Sequence, residues 1–158
     1  MFIARVMKEA DAPFSEEAAL VPYIWSALTS AMMAEVHSGA TGEQARKFFG
    51  ALGERIAVMQ PVDDIEDLDM LCERINLLWA HLGWGTVDMT LNDGGIDLRH
   101  EGVPAMPASL DDGHWWPAVG AILEGAYDHW FRCLGSCAKL HTRVIQQTEG
   151  DFELRHAP

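Results

Sequence analysis

Glu124 and Asp128 stand one helical turn apart, and two carboxylates at such a spacing are what a glycosidase uses to protonate a leaving group while water is activated or the sugar attacked. Adjacent turns also give the ordinary acidic face of a helix, exposed or at an interface, and no other stretch supplies a substrate cleft. His129, Cys133, Cys137 and His141 repeat in steps of four and are residue types that zinc takes as ligands. Each such step rises about 6 Å and rotates about 40°, so the outer pair cannot reach one ion, and Gly135 interrupts the helix between them. A buried, inert thiol accounts for Cys133, and no metal site is expected. Arg99-His100-Glu101 offers a base beside an acid, yet strand alternation sets His100 on the face opposite Arg99 and Glu101. A salt bridge or a sheet-edge contact suits that triplet better than proton transfer. With no GxSxG, Walker-type loop or dinucleotide fingerprint, neither a nucleophile elbow nor a cofactor site is expected.

The aromatic residues suggest contact rather than catalysis. Of six tryptophans, Trp79, Trp116 and Trp130 fall on apolar stripes and belong to a core, whereas Trp25, Trp84 and Trp115 are harder to place inside. Flat rings outside a core serve interfaces generally and sugar rings in special cases. A formal charge of −13 argues against nucleic acid and anionic membrane as partners. The three cysteines are an odd number and Cys72 lies on an apolar helix face, so no disulfide framework is expected. Arg5 and Lys8 are not followed by an apolar run or a cleavage site, and no stretch is long enough to span a bilayer. The expected setting is soluble, reducing and cytoplasmic.

These residues must be positioned by one α+β domain over residues 14–158, preceded by an arm of residues 1–13. Ser15 reads as a helix cap with Glu16 and Glu17 after it. Pro22 suits the first turn of a longer helix whose Ile24, Leu28, Met32 and Val36 form an apolar stripe that ends near Gly39. Thr41 and Gln44 have capping-box spacing ahead of Ala45, Phe48, Phe49, Leu52, Ile56 and Met59. Asp63 with Glu66 repeats the arrangement and opens a third helix, with Leu68, Leu71, Cys72, Ile75, Leu78, Trp79 and Leu82 on one face. Gly83 stops it, and from Thr86 the period becomes two: Val87, Met89 and Leu91 share one side of a strand. Asn92-Asp93-Gly94-Gly95 turns the chain into a return strand through Ile96 and Leu98. A loop from Gly102 to Gly113 leads to a fourth helix, with Trp116, Val119, Leu123, Ala126, Trp130 and Cys133 on one face. Val144 to Thr148 and Phe152 to His156 then form a second hairpin. The expected fold is α+β: N-terminal helices, then an antiparallel sheet of two hairpins separated by a long helix.

From the third helix onward the chain resembles the D subunit of bacterial cellulose synthase complexes. The resemblance rests on Arg74-Ile75-Asn76-Leu77-Leu78 running into Leu82-Gly83-Trp84-Gly85-Thr86-Val87, on Leu98-Arg99-His100-Glu101 with Pro104 after it, and on Trp116-Pro117, Ile122-Leu123-Glu124-Gly125, Tyr127 and Trp130. It implies a non-enzymatic accessory subunit, an octamer built from dimers, that organises glucan export and cellulose ribbon assembly in biofilm-forming bacteria. Its partners would be itself, the other synthase subunits and glucan chains, at the inner-membrane complex on the cytoplasmic side, with the periplasm as the alternative. By analogy, Phe2, Arg5 and Lys8 of the arm would contact glucan. Gly83, Trp84, Gly85, Arg99, His100, Glu101, Glu124, Tyr127 and Trp130 would shape the protomer or its interfaces. The alternatives are a carbohydrate-active enzyme using Glu124 and Asp128, and a small-ligand-binding domain.

Overall fold

A computed structural model describes the backbone of residues 12–158 and the side chains of residues 22–158. Helices α1 (Ala12–Gly39), α2 (Gly42–Val58) and α3 (Leu68–Leu82) precede the hairpin of β1 (Thr86–Asn92) and β2 (Gly95–Glu101). Helix α4 (Trp115–Cys133) separates it from the hairpin of β3 (His141–Thr148) and β4 (Asp151–Ala157). All pairings are antiparallel and the strand order is β1-β2-β4-β3, so one sheet is formed from the two hairpins, as the sequence predicts. β3 begins three residues before Val144.

The capping chemistry sets the helix starts. Thr41 accepts from the Gln44 amide and the Gln44 side chain accepts from the Thr41 amide, a complete capping box. α3 starts four residues later than Asp63 suggests, because Asp67 is the cap and accepts from the Met70 amide at 2.8 Å. Val62 and Ile65 are buried in the core, which holds the chain before Asp67 in a turn. α1 also departs from expectation: it begins ahead of Ser15, and Pro22 lies well inside it. Proline there forgoes one backbone bond, and the turns on either side carry the helix past it.

α4 is the central element, lying between α2 and the sheet, and it is buried nearly all round. A helix covered on two sides has no need of a single stripe. That is why Glu124 and Tyr127, off the expected face, are buried, while Cys133, at the end of the helix, is exposed rather than enclosed. α2 approaches α4 through Ala45, Gly53 and Ala57. A methyl group on Gly53 would overlap the Ile122 carbonyl, and one on Gly125 would overlap the Gly50 carbonyl, so glycine permits the close crossing. Phe48 and Met59 consequently point outward, at 44% and 60% exposure. Leu91, at the far end of β1, is also exposed because the strand outruns the core. The stripe expected on α1 is mostly unburied: Ile24, Leu28 and Met32 face solvent, and among the described side chains of α1 it is Met33 that is buried in the core.

Candidate functional site

The Gly83-Trp84-Gly85 corner is tied to three elements by a buried chain of hydrogen bonds. The Trp79 indole N–H of α3 donates to the Tyr127 hydroxyl of α4 at 3.1 Å. Tyr127 Oη lies 2.6 Å from His100 Nδ1 on β2, and His100 Nε2 lies 2.7 Å from the Trp84 carbonyl. Indole only donates and a carbonyl only accepts, so the directions are fixed: Tyr127 donates to Nδ1, and the imidazole carries its proton on Nε2. Burial drives the His100 pKa down to about 4 and the Tyr127 pKa well up, so both groups stay neutral across the physiological range. The Trp130 ring packs edge-on against Trp79, and its N–H is shared by the Ala57 and Gln60 carbonyls. With positive φ at Gly83 and Gly85, and the Glu101 carbonyl where a Gly85 side chain would sit, the corner admits glycine on both sides of Trp84. This chain locks helix to sheet, and its middle members, His100 and Tyr127, are fully buried.

Arg99 and Glu101 occupy the opposite face of β2 and form a salt bridge at 2.6 Å. β2 is an interior strand, however, so the triplet is not at a sheet edge. Each true edge is bonded near one end by helix side chains. On β1, the Asn76 amide bonds both the N–H and the carbonyl of Val87 at 2.7 and 2.8 Å. On β3, Glu124 Oε1 accepts from the Val144 amide at 2.8 Å and Asp128 Oδ1 from the Thr142 amide at 2.5 Å. Edge strands otherwise offer such groups to other chains. Glu124 Oε2 also pairs with Arg46 at 2.5 Å. The two carboxylates are thus a strand clamp, not the solvated acidic face that their spacing suggests.

Around Asp128 lie His141 and His156, each 3.5 Å away, and His156 contacts Ser136 and Thr142. Burial lowers the His156 pKa, with Asp128 acting in the other direction. Cys133 reaches only His129 among the four residues spaced like zinc ligands, and no group of three potential metal ligands occurs among the described residues.

Among the described residues, exposed large apolar side chains are most numerous on α1 and α2. On α1, Tyr23, Ile24, Trp25, Leu28 and Met32 are exposed, and Phe48, Val58 and Met59 of α2 are uncovered too. Between the helices runs a groove of about 490 Å³, with Met32, Phe48, Leu52, Met59, Trp84 and Trp115 along it. Trp79 and Trp130 are fully buried, Trp84, Trp115 and Trp116 half-buried, and Trp25 is 63% exposed. Trp116 is therefore less enclosed than its place on the α4 stripe predicts. Phe2, Arg5 and Lys8 lie outside the described residues.

The family model for the cellulose synthase D subunit matches residues 14–157. The chain belongs to this family. Among members of the D-subunit family, the cellulose synthase operon protein D of Komagataeibacter xylinus is 31% identical over 90 residues. That stretch is 56% of this chain and spans about half of the relative, 54% of its length. The family's description is that of a subunit of cellulose synthase. Among the described residues, no helix is long and apolar enough to cross a membrane.

Several residues that shape this D-subunit fold escape a reading by period alone. Asn76 lies between apolar neighbours and shows its role only when the β1 edge reaches it. Gly53 and Gly125 give a clearer signal, because glycine inside a helix costs about 1 kcal/mol relative to alanine and calls for a close backbone approach as its reason.

Proposed function

We propose that this chain is a non-enzymatic accessory component of a bacterial cellulose synthase complex, a homo-oligomer that organises glucan export and the assembly of cellulose ribbons. The observation that carries the reading is the apolar surface of α1 and α2: a long helix with Tyr23, Ile24, Trp25, Leu28 and Met32 exposed calls for a partner. An octamer built from dimers supplies such partners from copies of the same chain, and the other synthase subunits would recruit it. Light scattering on the eluting protein tests this. An octameric mass is expected, and a strict monomer at micromolar concentration would overturn it.

In this reading Phe2, Arg5 and Lys8, ahead of α1, contact glucan. Removing residues 1–11 is expected to preserve the oligomer while weakening binding of cello-oligosaccharides, and unchanged binding would remove these residues from the proposal. The protein works at the cytoplasmic side of the inner-membrane complex, which the three free thiols of Cys72, Cys133 and Cys137 support. The engagement of Glu124 and Asp128 with β3 amides favours assembly over glycoside hydrolysis. Nucleic acid is not a partner in this reading.

A further inference from the structure

A second cavity, of about 290 Å³, lies next to the α1–α2 groove, sharing Phe49 and Ala118 with it, between α4, α2 and the β3–β4 hairpin. Its polar groups are His37, Arg46, Glu124 and Gln147, and its aromatic wall includes Trp116 and Phe152. Three features of the fold converge on it without being needed by the core.

The first is a β-bulge. The β3–β4 register shifts between Val144 and Gln146, so that Val144 opposes Leu154 while Gln147 opposes Phe152. In a regular strand, residues three apart face opposite sides, but here the extra residue brings Val144 and Gln147 to the same side, toward α4. The bulge thereby aims an exposed glutamine at the cavity.

The second is Gly120, in the middle of α4. Unlike Gly53 and Gly125, it faces no backbone: an added Cβ would meet Val144 Cγ2 at 3.4 Å and Phe152 Cε1 at 3.6 Å, in ordinary contact or close to it. Close helix packing does not account for this glycine, which weakens the helix relative to alanine. What it leaves is open floor in the cavity.

The third is His37, whose Nε2 is buried and has no hydrogen-bond partner among the described residues. The ring stacks on His114 with centroids 3.8 Å apart, which holds it in place. A buried polar atom without a partner is uncommon, and the ring that carries it stands on the cavity wall.

We infer that this cavity is a binding site for one unit of a neutral, hydroxyl-rich carbohydrate. Arg46 and Glu124 neutralise each other, so the cavity has no net attraction for an anion or a cation. They still present donors and acceptors at its rim, because the Arg46 side chain is 56% exposed and uses one nitrogen for the pair. Gln147 can both donate and accept, and the half-buried Trp116 ring suits the apolar face of a sugar ring. The inference rests on the glucan reading above, but it assigns contact to a place remote in sequence from Phe2, Arg5 and Lys8.

Calorimetric titration of the full chain with cellotetraose tests the site, using Gln147→Ala, Gly120→Ala and a chain lacking residues 1–11. Gln147→Ala removes an exposed side chain and Gly120→Ala adds one methyl group to the floor, so both variants should fold and assemble as the parent does. Each is expected to weaken binding by roughly three- to tenfold, the scale of one hydrogen bond. In the parent protein, the Trp116 indole resonance should shift on titration. Parent-like binding by both variants would overturn the site, as would binding by the parent that vanishes only with the arm. Absence of any cellotetraose binding would overturn it too, while leaving assembly standing. Conversely, a monomeric chain whose binding depends on Gln147 would overturn assembly and retain the site.

Discussion

Nδ1 of His100 accepts a hydrogen bond from the Tyr127 hydroxyl at 2.6 Å, and this contact joins the central strand to the central helix. Tyr127 also accepts from Trp79, and His100 donates to the Trp84 carbonyl, so loss of the hydroxyl breaks the chain at its midpoint. Tyr127→Phe preserves the ring and leaves two buried groups unpaired. A cost of about 2–4 kcal/mol is expected from leaving buried groups unsatisfied. Urea unfolding should show a lower midpoint with an unchanged slope, and a shift under about 0.5 kcal/mol would mean that the chain contributes little to stability.

The same histidine makes stability depend on pH. Its folded pKa, about 4, is below the ordinary value of 6.5. Between those values the unfolded chain binds the proton and the native chain does not, so stability is full above about 6.5 and falls as pH drops toward 4. The fall attributable to His100 is about 3 kcal/mol at 1.36 kcal/mol per unit. His156, whose pKa burial also lowers, acts with the same sign. Comparing the unfolding free energies of the parent and His100→Asn at pH 7 and pH 5 isolates the contribution. The variant should be less stable at pH 7 yet lose less on acidification, and an equal loss in both would contradict the assignment.

Glu124 and Asp128 hold the edge of the sheet through the Val144 and Thr142 amides. Glu124→Ala or Asp128→Ala should therefore cost about 1–3 kcal/mol, as expected when a hydrogen-bonded partner is removed. Hydrogen exchange provides the local readout: the Val144 amide should exchange faster in the first variant and the Thr142 amide in the second. Unchanged protection at both positions would show that the clamp is not made in solution. Freed edge groups should also promote association through β3 at high concentration.

Glycine at the helix crossing sets a sharper limit. A methyl group at Gly53 would meet the Ile122 carbonyl within the facing helix, and neither backbone can move without displacing the core. Gly53→Ala is expected to destabilise by more than about 3 kcal/mol despite its better helix propensity, because overpacking outweighs a gain of about 1 kcal/mol. Thermal melting checks this, and a variant as stable as the parent would contradict the close approach.

The same crossing shows what the sequence could and could not reveal. Periodicity and caps located the elements because they act locally: the Thr41 box and the Gly83 stop depend on neighbours a few residues away. Burial was harder to read because it depends on layers. α4 is covered on two faces, which no single apolar stripe announces, and the enclosure of Glu124 and Tyr127 follows from that cover. Asp63 and Asp67 are equally good caps in isolation, and the burial of Val62 and Ile65 separates them. The alternation around Arg99-His100-Glu101 correctly divided the faces of β2, but the strand's interior place depends on pairing with β4 across a long separation. The His100–Tyr127 contact has the same origin, since its partners are 27 residues apart.

Among the described residues, α1 leaves part of its apolar surface uncovered. Ile24, Leu28 and Met32 lie four residues apart, on one side of the helix, and all three are exposed. Among the described side chains, α1 is tied to the rest of the protein by buried Met33, the His37–His114 stack and a bond from Ser30 to the Leu110 carbonyl at 2.6 Å. A charge placed on the exposed stripe should therefore leave the core intact and act on association alone. Leu28→Glu is expected to reduce the mass measured by light scattering while changing the near-ultraviolet signal of buried Trp79 and Trp130 little. The alternative outcome is equally readable: a variant with the parent's mass would place the contact between copies elsewhere, and one that loses the tryptophan signal would show that α1 supports the protomer core.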